Sequence, residues 1–100
     1  MDKRTAINIV KEYRKAVIKV FPEAVTYLYG SYAKNLQKKE SDIDVAILMP
    51  KLSDNYLWEE SPILWRLSGD INDLIEPVML EINENTPLYQ EVIKTGILIE

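Results

Sequence analysis

The run Ile43-Asp44-Val45-Ala46-Ile47-Leu48-Met49, closed by Pro50, constrains the fold more than any other stretch. It is too short and too rich in β-branched residues for a core helix, and it reads as a strand apolar enough to be buried on both faces. A strand of that kind belongs at the centre of a layered structure, with other elements covering it. Its entry is unusual. Ser41-Asp42-Ile43-Asp44 places two aspartates one residue apart, on the same side of the strand, with Cα atoms roughly 6.6 Å apart. Like charges so placed repel, and a divalent cation between them is the usual compensation.

The flanking segments supply the covering layers. From Asp2 to about Val20, residues Ala6, Ile7, Ile9, Val10, Tyr13, Val17 and Val20 follow a helical period with one apolar face, and Phe21-Pro22 ends it. Ala24 to Tyr29 reads as a strand broken by Gly30-Ser31, and a short helix is predicted over Tyr32–Leu36. Asn35 to Glu40 is polar loop. After the central strand, Lys51 to Glu60 has no clear pattern. Ser61-Pro62 reads as a cap and first helical residue, and Ile63, Leu64, Leu67, Ile71 and Leu74 form a helical stripe. Ile75 to Ile82 is a third strand, whose Pro77 marks an edge or a bulge. Thr86-Pro87 begins a helix that stops at Thr95-Gly96, and Ile97-Leu98-Ile99 adds a last strand. The expected fold is α/β (α+β): a small mixed sheet of three to four strands flanked by helices, in a single domain over residues 1–100.

Composition excludes several chemistries. The chain has no cysteine and no histidine. Disulfides, thiolate catalysis, zinc–thiolate sites and the Ser-His-Asp triad are therefore out of reach. Carboxylates, lysine, tyrosine, serine or a metal must carry any reaction. A net charge of −4 argues against binding long nucleic acid through its backbone. No apolar run approaches the roughly 20 residues that span a bilayer, and Met1-Asp2-Lys3-Arg4 leads into a charged helix, so a cytoplasmic location is expected.

Gly30-Ser31 lies between a strand and a short helix whose first amides are free. Glycine allows close backbone approach, free amides there bind anions, and the Ser31 hydroxyl adds a donor. About ten residues later come Asp42 and Asp44. A phosphate-binding turn beside a metal-binding carboxylate pair suits nucleotide chemistry. Lys34 is a candidate phosphate contact, against the simpler reading of a solvated lysine. Trp58 and Trp65 read as core or interface anchors.

Gly30-Ser31-Tyr32-Ala33-Lys34 followed by Ser41-Asp42-Ile43-Asp44-Val45-Ala46-Ile47 resembles the signature of the DNA polymerase β-like nucleotidyltransferases. It is similar in particular to the minimal nucleotidyltransferases that accompany HEPN-domain proteins. The resemblance implies a magnesium-dependent enzyme. It would transfer a nucleoside monophosphate, AMP from ATP in the first instance, to a hydroxyl by a two-metal mechanism. Asp42 and Asp44 would hold two Mg²⁺ ions, with Mn²⁺ as a substitute, and Gly30, Ser31 and Lys34 would bind the phosphates. A third carboxylate on the next strand would complete the metal site. Glu76 suits its position near the strand start, and Glu81, on the opposite face of a regular strand, is the fallback. The implied partner is a HEPN-type toxin, modified by this chain as its antitoxin within a hetero-oligomer. The alternative is a binding module that neutralises such a partner by occlusion.

Two positions depart from the family pattern. Asn35 stands where a glycine is usual, and asparagine is the residue next most willing to adopt the left-handed conformation. The third carboxylate is a glutamate in place of an aspartate. The extra methylene moves it by roughly an ångström, a displacement to which catalysis is sensitive.

Overall fold

Asp2 caps the first helix, α1 (Lys3–Val20), its carboxylate accepting from the Thr5 amide at 2.8 Å. The computed structural model describes all residues, Met1–Glu100. Strands β1 (Val25–Tyr29) and β2 (Ile43–Met49) follow. Then come a single helical turn, α2 (Tyr56–Glu59), and α3 (Ser61–Ile71), β3 (Ile75–Glu81), α4 (Pro87–Thr95) and β4 (Ile97–Ile99). The strands form one mixed sheet in the order β3-β2-β1-β4. β1 runs antiparallel to both β2 and β4, and β2 runs parallel to β3. The apolar run is interior to this sheet, as its composition requires.

Alternation along β2 divides the sheet's two faces. Ile43, Val45, Ile47 and Met49 point toward α1 and α3, where Val10, Tyr13, Val17 and Leu64 complete the main core. Burying each of those valines contributes about 1.5–3 kcal/mol. The Tyr13 hydroxyl donates to the Leu64 carbonyl at 2.9 Å and ties the two helices together. Ala46 and Leu48 point the other way, against Tyr89 and Val92 of α4 and Leu80 of β3. A nine-residue helix covers part of that second face, and Asp44 lies at its other end.

Most elements stand where the sequence places them. Thr86 caps α4, accepting from the Tyr89 amide at 3.3 Å. Pro77 lies on β3, which pairs with β2 alone and is an edge strand, so its missing amide interrupts no interior ladder. Three details differ. The helix predicted over Tyr32–Leu36 does not form, and the chain from Gly30 to Asn35 is a run of hydrogen-bonded turns. The Leu36 amide returns to the Ser31 carbonyl at 2.9 Å, and Asn35 takes a φ of 59°, which ends any helix there. The unpatterned stretch before Ser61 contains α2, and Ser61 is the first residue of α3 with Glu60 before it. Trp58 and Trp65 are 84% and 50% exposed, so neither anchors the core.

Candidate functional site

β1 delivers Gly30 to the open end of the second face, and β2 delivers Asp44 to the same place. Tyr29 and Asp44 are register partners, which sets Gly30 beside the aspartate. Gly30 has a φ of 74°. A Cβ at this position would overlap Oδ2 of Asp44 and lie 3.0 Å from its Cγ. The glycine is thus required twice, for a left-handed turn and for the room the carboxylate occupies. Beyond it, the amides of Ser31, Tyr32 and Ala33 find no acceptor within the chain. A turn with free amides and a serine hydroxyl has the donors an anion cradle needs.

The parallel register of β2 and β3 pairs Asp44 with Glu76. Their side chains share a face, and the Asp42 charge acts on Glu76 too. Loss of solvent pushes the Asp44 carboxyl up from 3.8 to about 6, and the charges of Glu76, Asp42 and Glu91 push in the same direction. Loss of solvent also raises Glu76, followed by the Asp42 charge. Glu81 has a different task. It lies on the other face of β3, and its carboxylate accepts from the Leu52 amide at 2.9 Å, fixing the chain that leaves β2.

Hard, anionic oxygens from Asp42, Asp44 and Glu76 suit Mg²⁺, which commonly takes one or two carboxylates and completes its shell with water and substrate phosphates. The three do not converge into a closed protein cage. The group is also open to solvent. Of the two surface cavities, one of about 400 Å³ is lined by Lys38, Lys39, Glu40 and Ser41, and the other lies against Arg14 and Thr26; neither includes the carboxylates. Ser41 shapes the approach to the aspartates, its hydroxyl accepting from the Lys38 amide at 2.7 Å.

Sequence reasoning missed two neighbours. Tyr29 is half-buried on the same face, its hydroxyl pushed up to about 12 by lost solvation and by the charges of Asp44, Glu91 and Glu76. Glu91 comes from α4, and its carboxylate meets the Lys34 ammonium at 3.5 Å. No local pattern announces Glu91, because the return of α4 across the second face is what brings it in. Lys34 is therefore an ion-paired lysine at the rim of the turn. A second lysine touches that turn, Lys3 donating to the Ala33 carbonyl at 3.4 Å.

Residues 7–100 match the family described as polymerase beta, nucleotidyltransferase. The chain belongs to this nucleotidyltransferase family. Within it, the chain is 31% identical over 96 residues to a Methanocaldococcus jannaschii protein, MJ0141, whose name assigns it provisionally as a protein adenylyltransferase; the match covers 91% of this chain and 95% of that one. It is also 31% identical over 90 residues to the protein adenylyltransferase MntA of Shewanella oneidensis, covering 89% of this chain and 60% of MntA. The nucleotidyltransferase fold is shared with a Sulfolobus solfataricus crystal structure provisionally assigned to the same activity, at a TM-score of 0.74 and 20% identity over 96% of this chain and 80% of that one. It is shared too with a toxin–antitoxin complex crystallised with AMP-PNP, at a TM-score of 0.60 and 24% identity over 90% of this chain and 72% of that one. The polymerase β-like resemblance read from the Gly-Ser and Asp-x-Asp motifs holds, and the fold class with it. No helix is long and apolar enough to cross a membrane.

Proposed function

We propose that this nucleotidyltransferase moves AMP from ATP to a hydroxyl of a partner protein and releases pyrophosphate. The observation that carries the reading is the junction of the two motifs. Gly30 makes room for Asp44, and Asp44 stands in register with Glu76, so an anion cradle and a carboxylate group share one sheet end. The protein adenylyltransferase names of two relatives support the choice of AMP and of a protein acceptor.

Each residue has a part. The Ser31 hydroxyl and the free amides from Ser31 to Ala33 hold phosphate oxygens, with Lys34 at the rim. Asp42 and Asp44 would hold Mg²⁺, with Glu76 as the third carboxylate. When bound, Mg²⁺ supplies charge neutralisation on the phosphates and on the attacking and leaving oxygens. Glu76 is exposed beside Asp44 and accepts the proton of the acceptor hydroxyl. The acceptor oxygen forms its bond to the α-phosphorus as the bond to the bridging oxygen breaks, and the pyrophosphate carries away the negative charge.

The partner is the remaining component. The carboxylates lie in neither surface cavity, so a second surface is needed to enclose the reacting atoms. A toxin of the HEPN class, modified on a tyrosine hydroxyl and neutralised by this chain as its antitoxin, fits that need. The toxin–antitoxin complex crystallised with AMP-PNP, a fold neighbour, supports a toxin as partner. The test mixes the protein with ATP labelled on its α-phosphate, Mg²⁺ and the protein encoded beside it. Label should move to the partner. Asp42→Asn with Asp44→Asn should cut the transfer by on the order of a hundredfold or more. Absence of label transfer from any nucleoside triphosphate would overturn the reading.

The lack of a closed three-carboxylate cage favours one alternative, a module that neutralises its partner by binding alone. The same double variant separates the two. If it neutralises the partner as well as the unaltered chain does, occlusion is the function.

A further inference from the structure

The Lys34–Glu91 pair joins the anion cradle to the helix that covers the second face. Its two charged groups are 3.5 Å apart, with side chains 37% and 41% exposed, so the pair is within reach of a ligand arriving from solvent. Lys34 is held in the turn by its own backbone, its amide donating to the Gly30 carbonyl at 3.2 Å. Its ammonium is already spoken for by an internal anion. A phosphate oxygen that draws on this ammonium competes with the Glu91 carboxylate for its charge.

That competition has a cost that depends on the ligand. Glu91 is left a less compensated anion on a face that already carries Asp42, Asp44 and Glu76. A metal-free triphosphate brings more negative charge into that field. A triphosphate carrying a divalent cation brings less, because the cation cancels part of its charge. The exchange therefore discriminates between the two forms of one nucleotide.

We propose that Glu91 is a positioning residue acting through Lys34, an internal anion that competes with nucleotide phosphate for its ammonium, and that it makes the site select metal-bound over metal-free nucleoside triphosphate. The inference rests on the nucleotide-binding reading above. It adds a residue from α4 to the specificity of the site, where the motif residues come from the turn after β1, from β2 and the residue before it, and from β3.

Calorimetric titration with the non-hydrolysable analogue AMP-PNP, in Mg²⁺ and in EDTA, tests it. Glu91→Gln should tighten binding of the metal-free analogue by about two- to fivefold, the range set by a partly exposed ion pair. The metal-bound analogue should gain less. Glu91→Asp keeps the charge and should behave like the unaltered chain. In a Lys34→Met background, Glu91→Gln should give no gain from the freed ammonium. If Glu91→Gln binds no tighter in EDTA, or gains equally without Lys34, the inference is overturned while the site stands. If the unaltered chain binds no AMP-PNP even with Mg²⁺, the nucleotide-binding reading falls and takes the inference with it.

Discussion

At Gly30 the backbone φ is 74°, and any side chain there would run into Asp44. Gly30→Ala should lower stability by about 1–2 kcal/mol from the left-handed backbone alone. It should weaken metal-dependent nucleotide binding as well, because the Asp44 carboxylate has to move. Chemical denaturation and nucleotide titration of the same variant check both parts. Unchanged stability with unchanged binding would contradict the close packing described. The sequence showed that glycine was needed here, but it suggested phosphate approach as the reason. The contact with Asp44 depends on the β1–β2 register, which no local pattern encodes. Asn35 is the opposite case. Its left-handed φ of 59° follows from the residue type as read in the sequence.

At the scale of elements, the site is where two neighbouring strands and a turn meet. β2 and β3 bring Asp44 and Glu76 side by side, and loss of solvent, with the charges of Glu76, Asp42 and Glu91 behind it, holds Asp44 near 6. The pH dependence follows from that direction. A carboxyl raised in the folded state binds its proton more tightly there than in the unfolded chain. Its contribution to stability is complete below about 3.8 and is lost as pH rises through about 6. In metal-free buffer, the melting temperature of the unaltered protein should fall relative to that of Asp44→Asn between about pH 4 and 7. Saturating Mg²⁺ with nucleotide should reduce that difference. Parallel slopes for the two proteins would show that Asp44 is not crowded. The strands were legible because β2 is apolar on both faces and because Pro77 confines β3 to an edge. The turn after Gly30 was read as a short helix instead, because it is held by backbone bonds to Gly30 and Ser31 that its composition does not reveal.

Over the whole molecule, one sheet is covered on its first face by α1 and α3 and only partly on its second by α4. The carboxylates lie at the uncovered end. Asp42 and Asp44 were legible as a pair from their spacing, although β2 begins at Ile43 and Asp42 stands just before it. Glu76 was legible only as one of two choices, and the parallel register places it beside Asp44 while Glu81 turns to the Leu52 amide. Glu91 was not legible, because residues 34 and 91 meet only through the return of α4. Trp58 was read as a core or interface anchor, and its exposure removes the core half of that reading, because a lone aromatic in an unpatterned segment says little about burial.

The central claim is that Asp42, Asp44 and Glu76 form a metal site that works on a nucleotide held by the Gly30–Ser31 turn. The most direct measurement is anomalous diffraction from crystals grown with Mn²⁺ and AMP-PNP. The account predicts Mn²⁺ peaks bound by Asp42 and Asp44, with Glu76 on one of them and the analogue's phosphates against the turn. Density for the analogue away from Ser31, or Mn²⁺ bound without either aspartate, would contradict it.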